Sequence, residues 1–400
     1  MQCISLLQTF KIIELLTLLL RQFEKSEPQI VYEILWILIN IEANDYEDTS
    51  YLNPLISNEV LSCFENLITN DYCDIVDNAL WVLLSLTSKN NLQREALLSH
   101  PLYEKMLSLS NADNIELNFV IGCLEFFTFC VVDVDYAKFE KQILKTLERL
   151  SLEIYSQYKK ISYWAFRGIA NISDLNCESS KLMKEILNSG IIVKILKTNF
   201  DKKENILFFS LKILVNVTSE SDDIIEKLIQ MRLIDFYEIM LEKYKNNKDI
   251  LLILLSGFVN LTGGKNLFKK LVINSVLFQE KIFLKFLYAD SQEIKLEMIN
   301  VIKNLSYSKD KEILLFLNDT AIINEIINLL SLERSNVELS SQYMKIIANF
   351  LLHYHNLQIE KKQNFYYIAE KFKDLLTNAN TFVSSEEMEK YLNVINIINN

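Results

Sequence analysis

Glycine and proline are scarce in this chain, at 6 and 3 of 400 residues, where ordinary globular proteins carry about 7% and 5%. Hairpins, sheet corners and glycine-rich ligand loops depend on such residues. Their shortage argues against sheets and leaves helices joined by short polar turns. Histidine is also rare, limited to His100, His353 and His355. The spacing in "HYH" does not put both rings on one helix face, and no Cys or carboxylate cluster lies beside it in sequence, so surface or capping roles are expected. The six cysteines (Cys3, Cys63, Cys73, Cys123, Cys130, Cys177) form no C-x-x-C pair. Dispersed singly in an apolar chain, they read as reduced, buried thiols. Phosphate-loop, H-E-x-x-H, nucleophile-elbow and dinucleotide patterns are missing. "TGGKN" at 262–266 has Gly-Gly-Lys without the loop spacing, where a repeat turn is expected. The chain therefore does not read as an enzyme, and no catalytic residue, cofactor or metal is expected.

Positive charge is in deficit as well. The formal net charge is −11, a field that repels nucleic acid and anionic membranes and favours basic partners. No uncharged apolar run reaches the ~18 residues of a membrane span. "FVIGCLEFFTFCVV" is too short and contains Glu125, and the N-terminal "MQCISLLQTFKIIELLTLLLRQFEK" includes Glu14 and lacks a basic leading region. Neither a membrane span nor a signal peptide is expected, and the chain reads as soluble and intracellular.

What the sequence does hold is apolar surface, half of its residues, arranged at a fixed period. Helix ends reading "LINIEAN", "LLSLTSK", "FFTFCVV", "IANISDL", "LVNVTSE", "FVNLTGG", "IKNLSYS" and "IANFLLH" place Asn40, Ser85, Thr128, Asn171, Asn216, Asn260, Asn304 and Asn349 at steps of 43 to 45 residues, and "VINIINN" adds Asn396 after 47 more. Between them lie shorter amphipathic segments, among them "NEVLSCFENLI", "HPLYEKMLSLS", "SGIIVKILKTN", "MRLIDFYEIML", "NSVLFQEKIFLKFL" and "TAIINEIINLLS". Each unit thus holds a short helix, a longer and more apolar one, and room for a small leading helix. Such a unit cannot cover its own apolar faces and must stack on its neighbours. The sequons Asn171-Ile-Ser173, Asn216-Val-Thr218, Asn260-Leu-Thr262 and Asn304-Leu-Ser306 fall inside these helices, so glycosylation is not expected there.

A period of about 44 lies in the window shared by armadillo and HEAT repeats, and the Asn register with the "G-I-I-V-K-I-L" opening resembles armadillo. The expected fold is an all-α, right-handed armadillo superhelix of about nine repeats, with residues 1–400 forming a single solenoid. Trp36 and Asn40 share a helix face, and stacking would align equivalent positions into a row along the concave wall. An Asn amide can bracket the backbone of an extended chain, and a Trp one turn earlier walls a slot for a Lys or Arg stem.

This W-x-x-x-N pattern resembles the importin-alpha family, adaptors that bind nuclear localisation signals, whose motif is close to A-W-A-L-x-N-I-A. "EILWILINIEAND" carries Trp36 and Asn40; "NALWVLLSLTSKN" carries Trp81 with Ser85 in place of Asn; "GCLEFFTFC" has Leu124 and Thr128 in those places; "SYWAFRGIANIS" keeps Trp164 and Asn171. Asn216, Asn260 and Asn304 persist, with Lys212, Ser256 and Asn300 where the family often has Trp. The resemblance implies a major peptide site on Trp36, Asn40, Trp81 and Ser85, and a minor one around Asn216, Asn260 and Asn304. It implies basic, extended cargo segments as partners, a role in protein import, and a cytoplasmic and nuclear location. Lys89 stands where the family usually supplies an Asp for a lysine. The family's basic segment that binds importin-beta has no counterpart before the first repeat, so that contact would need a segment absent from this chain. The competing expectation is a scaffold for cytoskeletal, ciliary or regulatory assemblies. In both, a structural role for Asn171 to Asn349, bonding neighbouring backbone, stands beside the ligand role.

Overall fold

The computed structural model describes residues 11–42, 49–112, 115–175, 181–198, 200, 203–333, 336–359, 363–377 and 385–399. Cys3, Cys177 and the first ten residues of the N-terminal apolar segment lie outside them, as does the side chain of Lys89. Every regular element among the described residues is helical. Two compact units make up the chain, Met1–Ile213 and Leu214–Asn400.

The long apolar helix of each repeat is α1 (Pro28–Glu42), α2 (Cys73–Lys89), α3 (Leu117–Cys130), α4 (Lys159–Ser173), α5 (Glu204–Thr218), α6 (Lys248–Gly263), α7 (Gln292–Ser306), α8 (Val337–Asn356) and α9 (Ser385–Asn399). Within the first unit α1 to α4 pack side by side in chain order, and within the second α6 to α9 do the same. Most of the expected short helices are present, at Asn58–Leu67, Pro101–Ser110, Ile191–Lys197, Leu233–Tyr244 and Ile322–Leu332. Small leading helices occupy Asn91–Ser99, Lys181–Asn188, Asp222–Gln230, Asn266–Ile273 and Lys311–Asp319. The stretch "NSVLFQEKIFLKFL" departs from expectation: it forms two helices, Val276–Gln279 and Ile282–Leu287, because Lys281 adopts a left-handed backbone (φ 56°) between them.

Several polar turns start the next helix by capping its N-terminus. Asn90, Asn247, Asp310 and Asn336 each accept a backbone N–H of the following helix through their side chains, a bond worth about 1 kcal/mol. A second device opens several of the short helices. Lys11, Gly190, Arg232, Lys281 and Ala321 all have positive φ immediately before the apolar run that begins the helix. The turn geometry is therefore shared, while only Gly190 meets it with the residue that adopts it without strain.

Stacking buries the apolar faces almost completely. Tyr237, Phe258, Tyr343 and Phe350 are wholly inaccessible. Gly257 admits a close approach, since a Cβ there would stand 2.6 Å from the Tyr237 ring. Neighbouring repeats are also tied by a buried Arg149, whose guanidinium donates to the Ser110 carbonyl (2.7 Å) and the Glu153 carboxylate (2.7 Å). Cys63, Cys123 and Cys130 are buried free thiols as expected, whereas Cys73 is exposed because it begins α2 at a surface turn. No single helix among the described residues is long and apolar enough to cross a membrane.

Candidate functional site

Three of the recurring Asn residues form hydrogen bonds from one repeat to the previous one. Asn171 donates its amide to the Thr128 carbonyl at 2.9 Å. Asn260 donates to the Val215 carbonyl (2.9 Å) and the Thr218 hydroxyl (3.2 Å). Asn304 repeats that pair one unit later, with the Val259 carbonyl (3.1 Å) and the Thr262 hydroxyl (3.4 Å). The N-x-T sequons thereby acquire a structural account. The Asn of one repeat reaches back to the hydroxyl two residues beyond the previous Asn, and that hydroxyl donates to its own helix, as Thr218 does to Val215 (2.8 Å). The Oδ1 atoms of Asn171, Asn260 and Asn304 carry no hydrogen bond among the described residues. Asn216 is partly buried at the matching position of α5, and Asn40, exposed on α1, donates to the Trp36 carbonyl (2.7 Å).

This bonding pattern also fixes the register and corrects one expectation. Asn260 and Asn304 bond the carbonyl one residue before the preceding Asn; Asn171 bonds that of Thr128, so the ladder position of α3 is Phe129. One turn earlier, the Trp position of α3 is Glu125. Leu124 and Thr128, which sequence spacing puts there, are fully buried, and the Thr128 hydroxyl bonds the Leu124 and Trp164 carbonyls. The physical reason is the helix face: Glu125 and Phe129 lie one residue round from the core stripe, at the partly buried edge.

With that register the slots of the first unit can be assembled. Trp36 is 50% exposed and Trp81 60% exposed, so neither is a core residue. Ser85 is partly buried one turn after Trp81. A groove of about 540 Å³ lies across α2, α3 and α4, with Trp81 and Trp164 on its walls and Asp77 and Glu125 among its polar groups. Gly122 sits at its floor, where a Cβ would collide with Leu80 (2.3 Å). Burial, with the charges of Glu116 and Asp74 nearby, raises the Asp77 pKa above the usual carboxylate value. Burial also raises that of Glu125, against the opposing pull of Arg167 and Lys160. Neither carboxylate has an ion-pair partner within 4 Å among the described residues.

The next slot is already filled. Arg167, one turn before Asn171, lies against Phe129 (4.8 Å), Trp164 (5.1 Å) and Phe209 (5.9 Å). Trp164 also meets Tyr163 edge-on at 5.1 Å. A cation over several ring faces is favourable by roughly 0.5–2 kcal/mol. The tryptophan of α4 is thus engaged within the protein on one side and borders the groove on the other. In the second unit Ser256 and Asn300 hold the corresponding positions, and Lys303 donates to the side-chain oxygen of Asn300 (2.9 Å). That row offers amides without aromatic walls. Asp77, Glu125, Tyr163 and Arg167 are functional candidates that motif matching misses. Asp77 was accessible as the residue one turn before Trp81, whereas Glu125 needed the shifted register.

The groups that resemble catalytic chemistry are tied up structurally. His100 caps the Pro101–Ser110 helix, its Nδ1 accepting the Leu102 N–H (3.1 Å), so Nε2 carries the proton facing Ser62 (3.4 Å). In that tautomer the imidazole does not accept the Ser62 proton, and the Ser62 hydroxyl already donates to Asn58. Lys265 of "TGGKN" pairs with Glu226 at 2.7 Å. No group of three or more His, Cys, Asp or Glu among the described residues is placed to hold a metal ion.

No family model matches the sequence, and no curated protein matches it. Among solved structures it is similar to an engineered protein determined by a structural genomics consortium. The identity is 13% and the TM-score 0.75 over 96% of this chain and 99% of that one. A designed armadillo repeat protein in complex with the peptide (KR)4 matches at 15% identity and TM-score 0.53, over 61% and 98% of the two chains. Computationally designed armadillo repeat proteins for modular peptide recognition match at 15% and 0.50, over 61% and 99%. With its stacked, all-helical repeats and these neighbours, the chain has the armadillo-repeat fold.

Proposed function

We propose that this protein is a non-enzymatic binding protein whose first unit holds an extended basic peptide segment along α1 to α4. The observation that carries the reading is the groove between Trp81 and Trp164 with Asp77 and Glu125 in it. Aromatic faces take the alkyl stem and charge of a Lys or Arg, and two carboxylates raised in pKa by burial regain favourable charge when a cation arrives. The unpaired Oδ1 of Asn171 supplies an acceptor for a peptide N–H. The structural neighbour that carries the peptide (KR)4 supports the same ligand class.

Within that reading we place nuclear-localisation-type segments first, as the Trp and Asn positions resemble importin-alpha, with cargo import as the process and both cytoplasm and nucleus as the location. Importin-beta would join as a partner through a basic segment of the kind that family carries. Titration of the full chain with a Lys/Arg-rich peptide, followed by tryptophan fluorescence, tests the groove. Saturable binding at low salt that weakens in the Trp81→Ala variant is expected. Absence of binding at low salt sinks the reading and leaves the scaffold role, with a non-basic ligand, in its place.

A further inference from the structure

The groove continues past Tyr163 into a second cavity of about 450 Å³ between α4 and the start of α5, and its charge is opposite. Among the described residues, Lys159, Lys160 and Lys203 line it together with one acidic residue, Glu204. Three cations and one anion leave a formal excess of two positive charges, in a chain whose net charge is −11. Elsewhere in the same unit lysines are neutralised from one repeat to the next, as in Lys138 with Glu95, Lys145 with Glu104 and Lys181 with Glu140. Lys159, Lys160 and Lys203 have no such partner within 4 Å among the described residues. Arg167 against Phe209 and Lys212 over Phe208 (5.0 Å) add cations along the same stretch. Lys160 and Tyr163 line this cavity and the Trp81–Trp164 groove alike, so the two share a wall.

From this juxtaposition we infer that the second cavity is an anion subsite, and that the groove takes an extended peptide of mixed charge. A Lys or Arg side chain enters between Trp81 and Trp164, and Asp or Glu side chains a few residues along the same peptide pair with Lys159, Lys160 and Lys203. The inference rests on the peptide-groove reading and deepens it. A purely basic ligand would meet repulsion beyond Tyr163, whereas an acidic extension continues the charge complementarity. Arg167 filling the third aromatic slot from within fits the same division, because no ligand cation is needed there.

The test uses the full chain and three labelled peptides sharing one Lys/Arg-rich core, extended by three Glu at the N-terminus, by three Glu at the C-terminus, or by three Ala. One Glu-extended peptide is expected to bind roughly five- to tenfold more tightly than the Ala peptide at low salt, from two or three part-exposed ion pairs. In Lys159→Ala/Lys203→Ala that gain should vanish while affinity for the Ala peptide holds. Both lysines are exposed, and circular dichroism serves to check that the variant folds. A Glu-rich peptide without basic residues isolates the subsite: weak binding lost in the double variant supports it even when Lys/Arg peptides do not bind. Equal affinity for all three extended peptides, a gain that survives the double variant, no binding of the Glu-rich peptide, or stronger competition by a single-stranded oligonucleotide overturns the inference.

Discussion

Asn260 shows how one side chain serves two ends. Its N–H group is spent on the Val215 carbonyl and the Thr218 hydroxyl, while its Oδ1 faces no protein donor among the described residues. Asn260→Ala should therefore lower the unfolding free energy by about 1–2 kcal/mol in denaturant titration, the loss of two partly buried hydrogen bonds. An unchanged midpoint would show that the bonds are not formed in solution. Trp81 presents the opposite case. At 60% exposure it does little for packing, so Trp81→Ala should cost under about 1 kcal/mol of stability yet weaken Lys/Arg-peptide binding by about 1–3 kcal/mol. A large stability loss with affinity intact would make it a core residue. The tryptophans were legible in the sequence because their type and spacing coincide. Glu125 was not, because helix periodicity tolerates a one-residue shift that only the Asn171 to Thr128 bond resolves.

At the scale of single elements, the left-handed residue before several of the short helices, as at Gly190, Arg232 and Ala321, carries most of the turn's geometry. A Cβ added to Gly190 (φ 79°) would meet nothing within 4 Å, so only backbone strain opposes a side chain there. Ala321 adopts the same conformation at φ 57°. Removing a penalty of about 1–2 kcal/mol while adding unfolded-chain entropy of about 0.5–1 kcal/mol makes Ala321→Gly stabilising by roughly 0.5–1 kcal/mol. Gly190→Ala should destabilise by a similar amount. Paired thermal melts check the two signs, and a fall in both variants would contradict the account. The repeat helices themselves were readable from apolar periodicity. The break at Lys281 was not, because nothing in "FQEKIF" marks a residue forced to positive φ.

For the molecule as a whole, charge decides how binding responds to solution conditions. Asp77 and Glu125 have raised pKa values in the unliganded protein, since burial disfavours their charged forms. A bound cation favours those charged forms, so binding expels protons and affinity for a Lys/Arg peptide should climb with pH. The climb should level off only above the ordinary carboxylate value of about 4. Isothermal titration across that range checks it, and Glu125→Gln should flatten the profile. A pH-independent affinity would remove these carboxylates from the site. The fold was legible at this scale because a 43- to 45-residue period is hard to produce otherwise. The alternation of anionic and cationic cavities was not, since Asp77, Glu125 and Lys203 are brought together from three different repeats.

The Asn rungs of the second unit also determine how the protein responds to force. Each rung joins a repeat only to the one before it in sequence, across 42 to 45 residues. Tension applied at the C-terminus therefore loads the rungs one after another, in the manner of a peeled seam. Every rupture frees one repeat, about 44 residues or roughly 15 nm of extended chain. Optical-tweezers traces of the intact chain should show a staircase of such steps, and a single rip spanning the unit would mean that the rungs share load.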